Sequence, residues 1–170
     1  MHTRKIIAGL VTSLALCSCQ QQQSPVSAEA IIQPSKGGDF RGVFLGDNPT
    51  VIKRQEESSS VYSMPDELIY RFEPNESDST WYEISYSFNE DGLNHISLDV
   101  YPQSHELKEH LIADFENYYS SRYGGGKKNT SNTEWRGLTM QGKYVTITLI
   151  AESSNLKNDM LRLVFNETNP

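Results

Sequence analysis

Glu83 and Asp99 lie on two segments that alternate apolar and polar residues, and the turn between them decides whether they can act together. In Trp81–Phe88, Tyr82, Ile84, Tyr86 and Phe88 alternate with Glu83, Ser85 and Ser87. In Leu93–Tyr101, Ile96, Leu98 and Val100 alternate with His95, Ser97 and Asp99. Both patterns read as half-buried strands. A three-residue loop, Glu90-Asp91-Gly92, with glycine in the left-handed position, predicts a hairpin in which Tyr86 faces Ile96, Ile84 faces Leu98 and Tyr82 faces Val100. A one-residue slip would set apolar side chains against polar ones. The same register puts Glu83 opposite Asp99 and Trp81 opposite Tyr101 on the polar face. Cross-strand carboxylates about 5 Å apart match the spacing of a retaining sugar-hydrolysing pair, and two aromatics beside them suit a sugar ring. The same four residues equally suit a non-catalytic partner surface. In the plainest reading, Arg71 on the neighbouring strand neutralises the acids and the aromatics pack beneath a loop.

No other grouping promises chemistry. His105 and His110 are five apart on one helix, about 140° around it, and so do not face a common metal. Glu106, His110 and Asp114 share a face, but such a ladder on a polar helix side is ordinarily solvated. Asn89-Glu-Asp-Gly92 lacks calcium-loop spacing, and Gly126-Lys127 lacks the rest of a phosphate loop. No metal or cofactor is expected.

The elements that would carry these residues follow from pattern and caps. Asn48 as N-cap and Pro49 at the first helical position predict a short helix over roughly 49–57. A polar loop, 57–60, precedes a strand at Leu68–Phe72. Ser104 caps a long helix, His105–Tyr123, with a core-facing stripe of Leu107, Leu111, Phe115, Tyr118 and Arg122, closed by Gly124. After a glycine loop over 124–130 come strands at Glu134–Met140, Lys143–Ala151 and Met160–Asn166. The fold expected is α+β in two layers. A helix and three strands occur twice, forming an antiparallel sheet with helices on one face.

The start of the chain reads differently. Arg4 and Lys5 precede an apolar run, Ile6–Leu16, of eleven residues. That is far short of the roughly 20 that a spanning helix needs, and it reads as a signal-peptide core. Leu16-Cys17-Ser18-Cys19 resembles the lipobox of bacterial lipoproteins, which implies a signal peptide over 1–18 and lipidation of Cys19. Cys17 would leave with the signal, so the mature chain would have no thiol for a disulfide, a zinc site or a nucleophile. Residues 19–38, rich in Gln, Ser, Pro, Ala and Gly, read as a tether with Ile31-Ile32 as its one apolar point. A single domain is expected over 39–170. Losing residues 1–18 removes two of the 15 Lys and Arg and none of the 22 Asp and Glu, leaving a net charge of −9. That excludes the concentrated basic footprint of nucleic-acid binding.

Phe40-Arg-Gly-Val and Gly46-Asp-Asn-Pro-Thr-Val51, followed by hairpin strands, look like the pattern of SmpA/OmlA-type outer-membrane-assembly lipoproteins. The doubled helix-and-sheet order is similar to β-lactamase-inhibitor-protein-like domains. Both resemblances imply a periplasmic protein-binding module without catalytic residues. The expectation is thus a non-enzymatic lipoprotein, held through Cys19 on the outer membrane and facing the periplasm, with an envelope protein as partner. Candidate contacts are Trp81, Glu83, Asp99 and Tyr101. The alternatives are an inhibitor or immunity lipoprotein, or an envelope-glycan hydrolase using Glu83 and Asp99.

Overall fold

The computed structural model describes residues 26–56, 60–74, 79–152 and 160–168. Residues 1–18, expected to be a signal peptide, Cys19, and residues 57–59 of the expected polar loop lie outside the described residues. Eight strands form one antiparallel sheet: β1 (Tyr62–Met64), β2 (Glu67–Phe72), β3 (Trp81–Asn89), β4 (Gly92–Tyr101), β5 (Lys127–Lys128), β6 (Asn132–Leu138), β7 (Tyr144–Glu152) and β8 (Met160–Glu167). Their order across the sheet is β1-β2-β3-β4-β8-β7-β6-β5. Among the described residues three α-helices accompany it: α1 (Ala28–Ile32), α2 (Pro49–Gln55) and α3 (His105–Tyr123). The chain is a mixed α+β fold in which the sheet dominates. Among the described residues no helix is long and apolar enough to cross a membrane.

The alternating apolar positions all turn to one face. Leu68, Tyr70, Tyr82, Ile84, Tyr86, Ile96, Leu98, Val100, Val145, Ile147, Leu149, Leu161, Leu163 and Phe165 are buried together. Helix α3 packs on β6, β7 and β8. Its buried side chains are Lys108, Leu111, Phe115 and Tyr119, which corrects the expected stripe. Tyr119, not Tyr118 or Arg122, continues the row of fours from Leu111 and Phe115, and its ring meets those of Trp135 and Phe165 at 5.7 Å each. Gly137 makes room for Tyr123 at the end of the same helix, since a Cβ there would lie 2.6 Å from the Tyr123 ring. Asn48 caps α2 as expected, its Oδ1 accepting from the N–H groups of Thr50 and Val51. Ser104 caps α3 through the N–H of Leu107.

Three expectations are revised by the backbone. The β3–β4 loop holds two residues, Glu90 and Asp91, because Asn89 pairs with Gly92 and Phe88 with Leu93. The ladder then shifts between Phe88 and Ser87, and from Ser87–His95 onward the pairs are those predicted. The cause lies outside the hairpin. Leu93 donates to the Asp47 carbonyl at 2.8 Å and accepts from the Gly46 N–H at 2.7 Å, so its backbone bonds go to the 44–47 turn. A Cβ on Gly92 would sit 2.3 Å from the Gly46 carbonyl oxygen, so glycine is required there. Each run of strands also opens with a short one that composition hid, β1 after the serines and β5 inside the glycine loop. Finally, the chain joins the fold earlier than residue 39. Val26, Ala28, Ile31 and Ile32 are buried, and α1 is capped by Ser27. The Ile31-Ile32 pair therefore anchors a segment that polar composition reads as tether.

The middle of the sheet is the β4–β8 seam, from His95–Asn166 to Val100–Leu161. It joins strands separated by α3 and three other strands.

Candidate functional site

The predicted register brings the four candidate residues together. Trp81 pairs with Tyr101 and Glu83 with Asp99 on adjacent strands. Arg71 pairs with Glu83 across β2–β3, and Arg162 pairs with Asp99 across β4–β8. Arg71, Glu83, Asp99 and Arg162 thus form one row over four strands on the face away from the core. Arg71 Nη2 donates to Glu83 Oε2 at 3.0 Å. Arg162 grips Asp99 with a fork, Nε to Oδ1 at 2.6 Å and Nη2 to Oδ2 at 2.9 Å. The two like charges at the centre of the row are each offset by an outer cation, which removes the cross-strand repulsion.

Beside the row, the Trp81 and Tyr101 rings stack at 3.8 Å and 11°. The Arg71 guanidinium lies over the Trp81 ring, 4.7 Å from its centroid, so one cation serves both the acid and the aromatic pair. Partial burial raises the Tyr101 phenol above its ordinary value, with the Asp99 and Glu83 charges adding to it. The aromatics stack on each other, leaving the outer ring face of the pair rather than a slot between them.

Chemically, this arrangement holds its acids rather than presenting them. Both Asp99 oxygens and one Glu83 oxygen accept hydrogen bonds from guanidinium groups. A substrate atom shared between the two carboxyls would have to displace those bonds. The expectation that Arg71 neutralises the pair is met for Glu83, while Asp99 is matched by Arg162, which sequence reasoning did not name. Among the described residues two clefts lie elsewhere, one of about 340 Å³ between α1 and α3, including Glu29, Ile32, Asp114 and Tyr118, and one of about 190 Å³ beside β5–β6. In the smaller cleft, burial pushes the Glu116 carboxyl up. Hydrogen bonds from Lys128 and Thr133, with the lysine's charge, outweigh that and hold it below its ordinary value.

The histidines are placed apart. His95 Nδ1 lies 2.7 Å from Asn166 Oδ1, and His105 lies 4.0 Å from Glu109. Among the described residues no group of three His, Cys, Asp or Glu is placed to hold a metal ion.

A second polar assembly went unread in the sequence. Arg41 and Glu56 form an ion pair with side-chain exposures of 3% and 1%. Arg41 Nε and Nη2 donate to Glu56 at 2.8 to 3.1 Å, Nη1 donates to the Ile31 carbonyl at 2.7 Å, and the Tyr86 hydroxyl donates to Glu56. The Arg41 guanidinium also lies 4.7 Å from the Phe72 ring centroid. This cluster ties α1, the end of α2 and β3 together. Arg41 has φ +51°, a left-handed backbone in the turn that closes Phe40 onto Val43. The Arg-Gly dipeptide was the available signal: a charged residue in a tight turn between buried Phe40 and Val43.

No protein-family model matches the sequence, and no curated protein or solved structure is significantly similar to it.

Proposed function

We propose that this chain is a lipid-anchored, non-catalytic protein-binding module of a bacterial cell envelope, meeting its partner on the open face of the sheet. The observation that carries the reading is the Trp81–Tyr101 stack, clamped by Arg71 beside a row of already paired charges. Trp, Tyr and Arg are the residues that dominate protein interfaces. Around them this face is nearly smooth. Ser85, Ser97, Val164 and Thr148 follow one another across β3, β4, β8 and β7, so a broad partner surface can approach. A charge row that is neutral within itself costs less to cover than lone charges.

The envelope location rests on the lipobox-like run ending at Cys19, with residue 20 a Gln, which favours the outer membrane, facing the periplasm. The architecture is read as two layers, each half a helix with three long strands, all helices on the core face. The likeness to β-lactamase-inhibitor-protein-like domains makes an inhibitor or immunity lipoprotein the natural sub-case.

Crosslinking the full chain in whole cells, then identifying the captured protein, tests the face. Trp81→Ala with Tyr101→Ala should abolish capture while circular dichroism stays unchanged; undiminished capture sinks the reading. Cys19→Ala should move the chain from the membrane to the soluble fraction. Continued sedimentation with membranes would rule out the lipid anchor. Turnover of envelope glycan by the full chain, lost on Glu83→Gln, would replace the binding reading with the hydrolase one.

A further inference from the structure

The two edges of the sheet are built differently. At one, β5 is two residues long, and both are exposed lysines following Gly124, Gly125 and Gly126. A short strand bearing lysine is how folded proteins discourage another chain from adding to an edge. At the other, β1 has no charge and no proline within it. Val61, just before it, and Tyr62 and Met64, within it, are 59%, 45% and 49% exposed. Every residue from Val61 to Asp66 faces solvent. Among the described residues β1 pairs only with β2, so its outer edge is open.

We propose that the outer edge of β1 accepts an extended segment of another protein as an added antiparallel strand, apolar at alternate positions and carrying Lys or Arg at its ends. Strand addition draws affinity from main-chain hydrogen bonds and specificity from alternate side chains. Tyr62 and Met64, two residues apart, project to the same side and supply that alternate apolar contact, with Ile69 beside Tyr62 on β2.

The charges around the edge select the occupant. Between Arg54 and Arg71 the sequence has no Lys or Arg, while Asp66 is exposed at the β1–β2 turn and Glu67 stands opposite Met64. A second copy of this chain, with net charge −7, would bring the same carboxylates to the edge and no cation from that stretch to meet them. A segment with basic ends meets them with opposite charge. This edge lies two strands from Trp81, so the inference stands or falls apart from the reading of the open face.

The test uses the full chain and two labelled synthetic peptides of alternating Val and Thr, one with a Lys pair at each end and one with a Glu pair. Fluorescence anisotropy should show the Lys-ended peptide binding at least about tenfold more tightly than the Glu-ended one. Tyr62→Thr with Met64→Thr, which keeps strand-forming residues without changing charge, should weaken it by about tenfold or more. Asp66→Asn with Glu67→Gln should erase the preference between peptides. Trp81→Ala with Tyr101→Ala should leave binding unchanged. Equal binding of both peptides, or no binding at ~1 mM, overturns the proposal. Binding lost with Trp81 and kept without Tyr62 and Met64 also overturns it, and would assign the peptide to the face instead. A dimer in sedimentation equilibrium, dispersed by the Tyr62 and Met64 changes, overturns it in favour of self-association.

Discussion

Two arginine–carboxylate assemblies of similar chemistry sit on opposite sides of the same sheet, and only their access to water separates their roles. In the interior, Arg41, Glu56 and Tyr86 are almost wholly removed from solvent, and the guanidinium also bonds the Ile31 carbonyl. On the open face, Arg71 and Arg162 hold Glu83 and Asp99 with side chains that remain 48% and 37% exposed. Coulomb attraction is strong in the first setting and largely screened in the second. The buried assembly therefore belongs to the fold, and the exposed one contributes little to it and stays accessible to solvent. Removing single members from each side tests that division.

The largest effect is expected from Glu56→Gln. It leaves the Arg41 charge buried without its counter-charge and should cost about 3–5 kcal/mol of unfolding free energy in urea denaturation. A loss below ~1 kcal/mol would erase the distinction between the two sides. Next comes a response to alkali. Burial first, and then the Glu56 charge, raise the Tyr86 phenol well above its ordinary 10.0. The folded chain thus keeps a proton that the unfolded chain releases near that pH. This stabilisation is whole below about pH 10 and is lost as pH rises beyond it. Tyr86→Phe should flatten that decline by one proton's worth of slope between about pH 10 and 11, checked by urea midpoints across the range. Tyr119, also fully buried and raised, keeps part of the slope in the variant. The smallest effect is expected from Arg71→Ala or Arg162→Ala, about 0–1 kcal/mol each and fading in ~1 M salt. If either matched Glu56→Gln, the open-face row would be part of the fold after all.

The boundary of what the sequence revealed follows the range of the interactions. The Glu83–Asp99 and Trp81–Tyr101 pairs were legible because a hairpin is local and its alternation tolerates one register, even though the loop length was misjudged. Arg162 was not, because its place opposite Asp99 depends on β4 meeting β8 across α3 and three strands, with no turn to announce it. Arg41 and Glu56 were not legible as a pair, since charge alone gives no hint of burial when the partner is 15 residues away. The caps at Asn48 and Ser104 were plain from residue type. The face of α3 was misread in its C-terminal half, where Tyr118 and Tyr119 are equally aromatic and only packing against Trp135 and Phe165 selects one. Whether β1 existed at all was hidden behind a serine run.

The position of β8 bears on how the sheet is completed as the molecule folds. It is made after every other strand, yet it fills the gap between β4 and β7. Without it, β4 and β7 each have an unpaired inner border, and His95 lacks its neighbour 71 residues further on. Contacts so distant in sequence slow folding. A chain cut short before β8 would thus hold two half-sheets with open inner borders on one polypeptide, in place of a slightly smaller version of the whole sheet.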